Sequence, residues 1–371
     1  MQSTNRKWQN HLKAKGLIPF LLDRVSSHAR SSLWQHERGS FDFPINDREL
    51  DDALSQAFFA LNEHFPTELY IEVTSRCNLD CLMCVRSMFE RKTEDMPLNL
   101  FKGIVDEIVD EYPLAYVHLY GIGDPLMDET LFEKLDYAGR KGMRNTILFT
   151  NGQNLLKDDN YKKLADSSVP IFGVDIDGFT AASYEQIRRG GSFDTLIRNV
   201  TAFKKHLDGL SEYKRLEIAY QIYAGINDTE QEMQAFVSWC EDQGLEYKFV
   251  TLHTWADLRS DVPMSEIDGL AEPNDRAVAR TGPCCSLWNP MILSDGRMTH
   301  CFLDANGKCT LGNVGEEGIR SIWQNAHRRL RANQVKGIYE GVCKECGSGS
   351  CVELPGFNSR NYPDVLRDGE G

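Results

Sequence analysis

Three cysteines, Cys77, Cys81 and Cys84, stand at spacings of three and two intervening residues in CNLDCLMC, directly after the apolar run LYIEVT. Thiolates grouped this tightly hold a metal or a cluster. Structural zinc takes four protein ligands, so zinc here requires a fourth from elsewhere in the chain. A cubane iron–sulfur cluster also takes four, but on three thiolates it keeps one iron open to an exogenous chelator. The spacing alone leaves both open.

The eleven cysteines fall in local groups: Cys77, Cys81, Cys84; the lone Cys240; Cys284, Cys285, Cys301, Cys309; and Cys343, Cys346, Cys351. An odd number in tight groups favours metal ligation over a disulfide framework. At 371 residues the chain buries a large core without disulfide staples. No apolar run approaches the roughly 18 residues of a membrane span, and the N-terminus lacks a secretory apolar stretch. The expectation is a reducing cytoplasm with no membrane partner. A net charge of -14 argues against nucleic acid. Residues 1–40 hold seven Lys or Arg against Asp23 and Glu37, which reads as a solvated extension or as a docking arm for an acidic electron carrier.

The elements that must position these groups follow a rhythm. After a helix expected around Asp47 to His64, β-rich runs start at residues 69, 116, 145, 170, 216 and 247. Between them PLNLFKGIVDEIVDEY, DETLFEKLDYAGRKG and FDTLIRNVTAFKKHL carry helical apolar spacing, with Gly142 as a C-terminal stop. Six strand–helix units imply an α/β fold with a parallel, curved sheet or partial barrel. Ligands gather at the C-terminal ends of such strands. There lie CNLDCLMC, then GIGDP (121–125), TNG (150–152) and DIDG (175–178). Three domains follow: an N-terminal extension over 1–65, a barrel core over 66–257, and a cysteine-rich module over 258–371.

The cysteine spacing after the first strand resembles that of the radical S-adenosylmethionine superfamily. The resemblance implies a partial (β/α)6 barrel. It also implies a [4Fe-4S] cluster on Cys77, Cys81 and Cys84, whose open iron is chelated by the methionine moiety of S-adenosylmethionine. Reductive cleavage then yields a 5'-deoxyadenosyl radical that abstracts hydrogen from substrate. YGIGDPLMD resembles the family's GGEP segment, with Gly121 and Gly123 permitting close backbone approach and Asp124, in place of the commoner Glu, receiving the methionine ammonium. VDIDG and SYEQIRRGGSF resemble the fourth-strand segment, placing Asp175 at the ribose and Arg188 at the carboxylate. Read without the resemblance, the same residues are a Gly-Asp-Pro turn, a strand-end cap and a surface helix residue. Asn151 reads as a turn, and Met83 stands where relatives carry an aromatic residue against adenine.

GPCCSLWNPMILSDGRMTHC and VCKECGSGSC resemble the SPASM and Twitch extensions, which hold auxiliary clusters. Only four residues separate Cys346 from Cys351 and no cysteine follows, so the shorter Twitch-like arrangement is expected. It places one auxiliary [4Fe-4S] cluster on Cys284, Cys301, Cys343 and Cys346, with Cys284 taken over Cys285 for its position four residues before Trp288. A zinc knuckle has the same ligand count. Cys309 and Cys351 are further candidates for a second cluster or for hydrogen-atom donation, and Cys240 reads as a small buried hydrophobe. Tyr223, His253 and Trp255 are candidate substrate contacts.

Relatives with a single auxiliary cluster imply dehydrogenation of a secondary alcohol on a sugar or aminocyclitol, supported by a flavodoxin- or ferredoxin-like reductant. Residues 1–65 look too short for a peptide-binding winged helix, which sets a small-molecule substrate ahead of a peptide. The alternatives are a peptide-modifying maturase, a sugar epimerase and a non-catalytic zinc-organised interaction protein.

Overall fold

The computed structural model describes residues 62, 64–250 and 284–346. Six parallel strands lie side by side in chain order: β1 (Glu68–Ile71), β2 (Tyr116–Leu119), β3 (Thr146–Thr150), β4 (Ile171–Asp175), β5 (Arg215–Gln221) and β6 (Glu246–Val250). The crossovers are α1 (Leu98–Glu111), α2 (Leu131–Lys141), α3 (Asn160–Asp166), α4 (Ala181–Ile187), α5 (Phe193–Asp208) and α6 (Glu230–Asp242). This is the expected partial barrel. The expected helix before residue 65 and the boundary at 258 fall largely outside the described residues.

The pleat sorts the side chains. In β1, Leu69 and Ile71 join the core under the helices, while Glu68 and Tyr70 take the opposite face and meet His118 of β2. Helix α1 buries Phe101, Ile104, Val105 and Ile108 at helical spacing, and α5 does the same with Leu196, Val200, Phe203 and Leu207. Gly142 ends α2 at φ 89°, donating its N–H to the carbonyls of Ala138 and Gly139, as its place in the sequence implied.

The C-terminal region continues this sheet. Strand β7 (Met291–Ile292) pairs in parallel with β1, and β8 (Arg297–Thr299) and β9 (Thr310–Asn313) follow antiparallel, so nine strands run β6-β5-β4-β3-β2-β1-β7-β8-β9. Beyond them come α7 (Val314–Glu317), α8 (Ile319–Gln324), α9 (Ala326–Val335) and α10 (Val342–Glu345). Glu107 of α1 accepts the backbone N–H groups of Ile319 and Arg320, both at 2.8 Å, which caps α8 from the barrel.

One ion pair joins three parts of the chain. Glu72, directly after β1 and fully buried, receives both Nη atoms of Arg91 at 2.7 Å, with Ile122 N at 3.3 Å and Ser294 N at 3.2 Å. Arg91 also donates Nε to Ala305 O at 2.6 Å. Removing one member strands the other's charge in the interior. Glu72→Ala should therefore cost about 3–5 kcal/mol in urea denaturation. The double variant Glu72→Met/Arg91→Met should recover most of that loss; a double variant as unstable as the single one would show that the charges themselves are not at issue.

Candidate functional site

The C-terminal ends of the strands border a cavity, and the cysteine loop after β1 forms a wall of it. The loop is closed at its base by Asp95, which accepts Thr74 Oγ1 at 2.6 Å and Arg76 Nε at 2.9 Å. It docks on the end of α4 through Asp80 N to Arg189 O at 2.9 Å and Leu82 N to Ile187 O at 2.7 Å. Cys77, Cys81 and Cys84 all line the cavity, as does Met83.

Each thiol faces an N–H group. Cys77 Sγ accepts Leu79 N at 3.5 Å and Asn151 Nδ2 at 3.7 Å; Cys81 Sγ accepts Arg188 Nη1 at 3.8 Å; Cys84 Sγ accepts Arg86 N at 3.4 Å, capping the 3-10 turn Val85–Met88. Donors aimed at sulfur suit thiolates. In the absence of iron, burial pushes all three thiols up, Cys81 to about 12, so loading the loop releases protons. All three cysteines line one cavity wall, and each sulfur has an N–H donor, an arrangement that suits the thiolate ligands of a cluster.

Gly121 and Gly123 line the cavity, but their closest neighbours are protein. A Cβ on Gly123 would collide with the carbonyl oxygens of Thr74 and Arg76, and one on Gly121 would lie 2.7 Å from Glu72 Cγ. These glycines press the β2 loop against the base of the cysteine loop. Asp124 accepts Leu126 N at 2.9 Å, Thr150 Oγ1 at 2.9 Å and Asn151 N at 2.7 Å, so it latches the β2 loop to the β3 loop. That commits three of a carboxylate's roughly four acceptor positions. Burial raises the Asp124 carboxyl above its ordinary range, and the three donors oppose the rise.

Arg188 is buried rather than on a helix surface, and its principal partner is a residue that sequence reasoning passed over. Asp177, two residues beyond Asp175 and fully buried, takes Arg188 Nε at 2.7 Å and a second contact from Nη2, and also accepts Gln221 N at 2.9 Å. Asp175 is partly exposed and lies 3.3 Å from Arg188 Nη2. The signal was the alternation in VDIDG, which sets both aspartates on one face. Burial pushes the Asp177 carboxyl up to about 6 against the pull of Arg188. Tyr223 is buried beside Met83 and Ile187 and donates to Gln221 Oε1 at 2.8 Å, so it supports the cysteine loop; His253 and Trp255 lie outside the described residues.

A second cysteine group lies in the C-terminal region. Cys343 Sγ is 3.0 Å from His300 Nε2 and accepts Gln334 Nε2 at 3.3 Å, while Gln334 Oε1 accepts Cys284 N at 3.1 Å. Cys301 Sγ accepts Leu303 N at 3.4 Å. Cys346 ends α10, one turn after Cys343. Cys309 comes to the same place: its Sγ accepts Val342 N at 3.3 Å, and a Cβ on Gly341 would strike it. The Cys285 side chain and Cys351 lie outside the described residues, and Cys240 is buried in the main core.

The profile of the radical SAM superfamily matches residues 71–240, and that of the SPASM iron-sulfur cluster-binding domain matches residues 284–347. The chain belongs to the radical SAM superfamily. As a radical SAM enzyme with a SPASM/Twitch-type extension, it binds S-adenosylmethionine, generates a 5'-deoxyadenosyl radical to modify a substrate, and carries auxiliary iron–sulfur chemistry in that extension. Mycofactocin maturase MftC of Mycolicibacterium smegmatis is 24% identical over 323 residues, 79% of each chain. SuiB of Streptococcus suis bound to precursor peptide SuiA shares the fold at a TM-score of 0.57 and 16% identity, over 91% of this chain and 84% of SuiB. BtrN in complex with AdoMet and 2-DOIA does so at 0.52 and 18%, over 80% of this chain and 97% of BtrN.

These likenesses overturn the sequence-based preference for a sugar or aminocyclitol over a peptide. One relative aligned over 79% of the chain is a maturase, and one structure matched over 91% of the chain holds a precursor peptide. The preference came from the count of auxiliary cysteines, which govern how a cluster is held and not what fills the barrel mouth, and from the shortness of residues 1–65, which lie almost wholly outside the described residues. Among the described residues no helix is long and apolar enough to cross a membrane.

The radical SAM cavity wall depends on the buried pair more than on the half-exposed one. Asp177→Ala leaves Arg188 buried against Asp175 alone and should cost about 3–5 kcal/mol in chemical denaturation, whereas Asp175→Asn should cost under about 1 kcal/mol. Equal losses would contradict this ranking.

Proposed function

We propose that this enzyme is a maturase that modifies a peptide. The observation that carries the reading is the alignment with MftC across 79% of both chains. The bound precursor peptide in SuiB, on the same fold, supports it.

In this reading Cys77, Cys81 and Cys84 hold the core cluster and leave one iron to S-adenosylmethionine. When bound, the cluster supplies the electron that cleaves the sulfonium. Gly121, Gly123 and Asp124 shape the wall beside the methionine moiety, Arg188 and Asp175 line the same cavity, and Met83 offers a thioether to pack on adenine. The cavity runs on past Gln221 and Lys248 of the barrel to Met291 and Phe302 of the extension, so a peptide side chain entering it meets residues of both parts. Cys284, Cys301, Cys343 and Cys346 hold the auxiliary cluster, and Cys309 stands beside them as a spare thiol.

Two measurements test this. The Cys77→Ala/Cys81→Ala/Cys84→Ala variant, prepared anaerobically, should lose about four irons per chain while keeping auxiliary iron and sulfide; loss of all iron would contradict two separate sites. With reductant and S-adenosylmethionine, pools of short synthetic peptides should raise 5'-deoxyadenosine release above the substrate-free rate and show a changed peptide mass. Stimulation by polyols with none by any peptide pool would overturn the maturase reading.

A further inference from the structure

Arg331 is an interior cation with no acid against it among the described residues. It is 3% exposed on α9, where its guanidinium lies 3.9 Å from the ring centre of Trp323 and 5.2 Å from that of Trp288. Its polar partners are His327 Nδ1 at 3.0 Å and the carbonyl of Trp323 at 3.4 Å, and its Nε has none among the described residues. Three other buried cations meet a carboxylate, Arg91 with Glu72, Arg188 with Asp177 and Lys134 with Asp128, while Lys214 meets the carbonyls of Ser167 and Val169. Buried charge is ordinarily paired, so a guanidinium stacked on two indoles with no acid among the described residues suits a neighbouring negative group.

The cysteine group of the extension lies on the same side of α9. His327, Arg331 and Gln334 fall at helical spacing along one face, all buried. Gln334 reaches both Cys284 and Cys343. Trp288, under the guanidinium, ends the 3-10 turn that follows Cys284. His300, beside Cys343, is close enough to His327 to depress its basicity. The groups at this niche are thus one guanidinium, N–H donors, indoles and thiols, with the Asp304 carboxylate engaged at Cys309 N. We propose that Arg331 is the counter-charge of the auxiliary cluster: the anionic cluster neutralises the buried guanidinium, and the guanidinium in turn raises the cluster's reduction potential.

The inference rests on the assignment of the auxiliary cluster to Cys284, Cys301, Cys343 and Cys346. Four thiolates leave a cubane with net negative charge, and charge beside a cluster is one of the levers on its potential. A fixed positive charge favours the more negative, reduced form. Burial, with Arg328 adding to it, pushes the guanidinium down to about 9. Cluster loading and the arginine therefore stabilise one another by linkage.

Arg331→Met keeps the length and removes the charge. In the full-length Cys77→Ala/Cys81→Ala/Cys84→Ala background, where only auxiliary iron remains, potentiometric EPR titration should show a more negative midpoint. At a fixed potential the reduced-to-oxidised ratio should fall roughly tenfold, about 59 mV for one electron, and Arg331→Lys should retain most of the original value. Melting gives a second arm: without iron, Arg331→Met should melt higher than its parent, while cluster loading should raise its Tm less. An unchanged midpoint, or an equal loss of Tm with and without iron, would overturn the counter-charge role while leaving the cluster assignment intact. If the parent binds no iron or sulfide at these cysteines, the ligand assignment fails, and the inference with it.

Discussion

Glu72 sits where β1 ends, closed off from solvent, and its carboxylate answers to Arg91 from the cysteine loop, Ile122 from the β2 loop and Ser294 from the C-terminal extension. A buried carboxylate is tolerable only when its lone pairs are filled and its charge is met. Those conditions require three distant segments to arrive together. Arg91 adds the carbonyl of Ala305, so the cysteine loop and the extension are held by one guanidinium. The radical core and the auxiliary cysteines are consequently parts of one folded body whose joint is polar, directional and dry.

Around that joint the wall of the cavity is built by close approach. Gly121 and Gly123 let the β2 loop pack on the cysteine loop, Asp124 ties it to the β3 loop, and Asp177 holds Arg188 under Cys81. Charged groups are therefore engaged in protein contacts before any cosubstrate enters. Preorganisation of this kind fixes the cavity's shape and removes water from the groups that line it.

Much of this was legible in the sequence. The periods of 2 and 3.6 mark six strand–helix units, and loops that follow parallel strands must converge at one end, so CNLDCLMC, GIGDP and DIDG had to share a cavity. What escaped was set by tertiary contact. Asp177 looks no different from Asp175 until burial separates them. Cys309 was a candidate ligand by type alone, and only the fold shows that its sulfur lies against Gly341 and Val342. The two residues of β7 are too short a run to announce a strand, and only the free edge of β1 makes them one. Arg331 sits in a polar-looking stretch, HRRLRANQ, whose inner face is invisible without Trp288 and Trp323. The substrate preference rested on the auxiliary-cysteine count and on the short N-terminal extension, and neither describes the side chains that line the cavity.

The central claim is that the loop holding Cys77, Cys81 and Cys84 presents an open iron to S-adenosylmethionine. Electron-nuclear double resonance on the reduced, reconstituted chain tests it most directly, using cosubstrate labelled with nitrogen-15 at the methionine amine and oxygen-17 at its carboxylate. The account predicts hyperfine coupling from both labels, present when the auxiliary cysteines are replaced and absent when Cys84 is alanine. A core cluster that forms in full and shows no coupling to either label would contradict it.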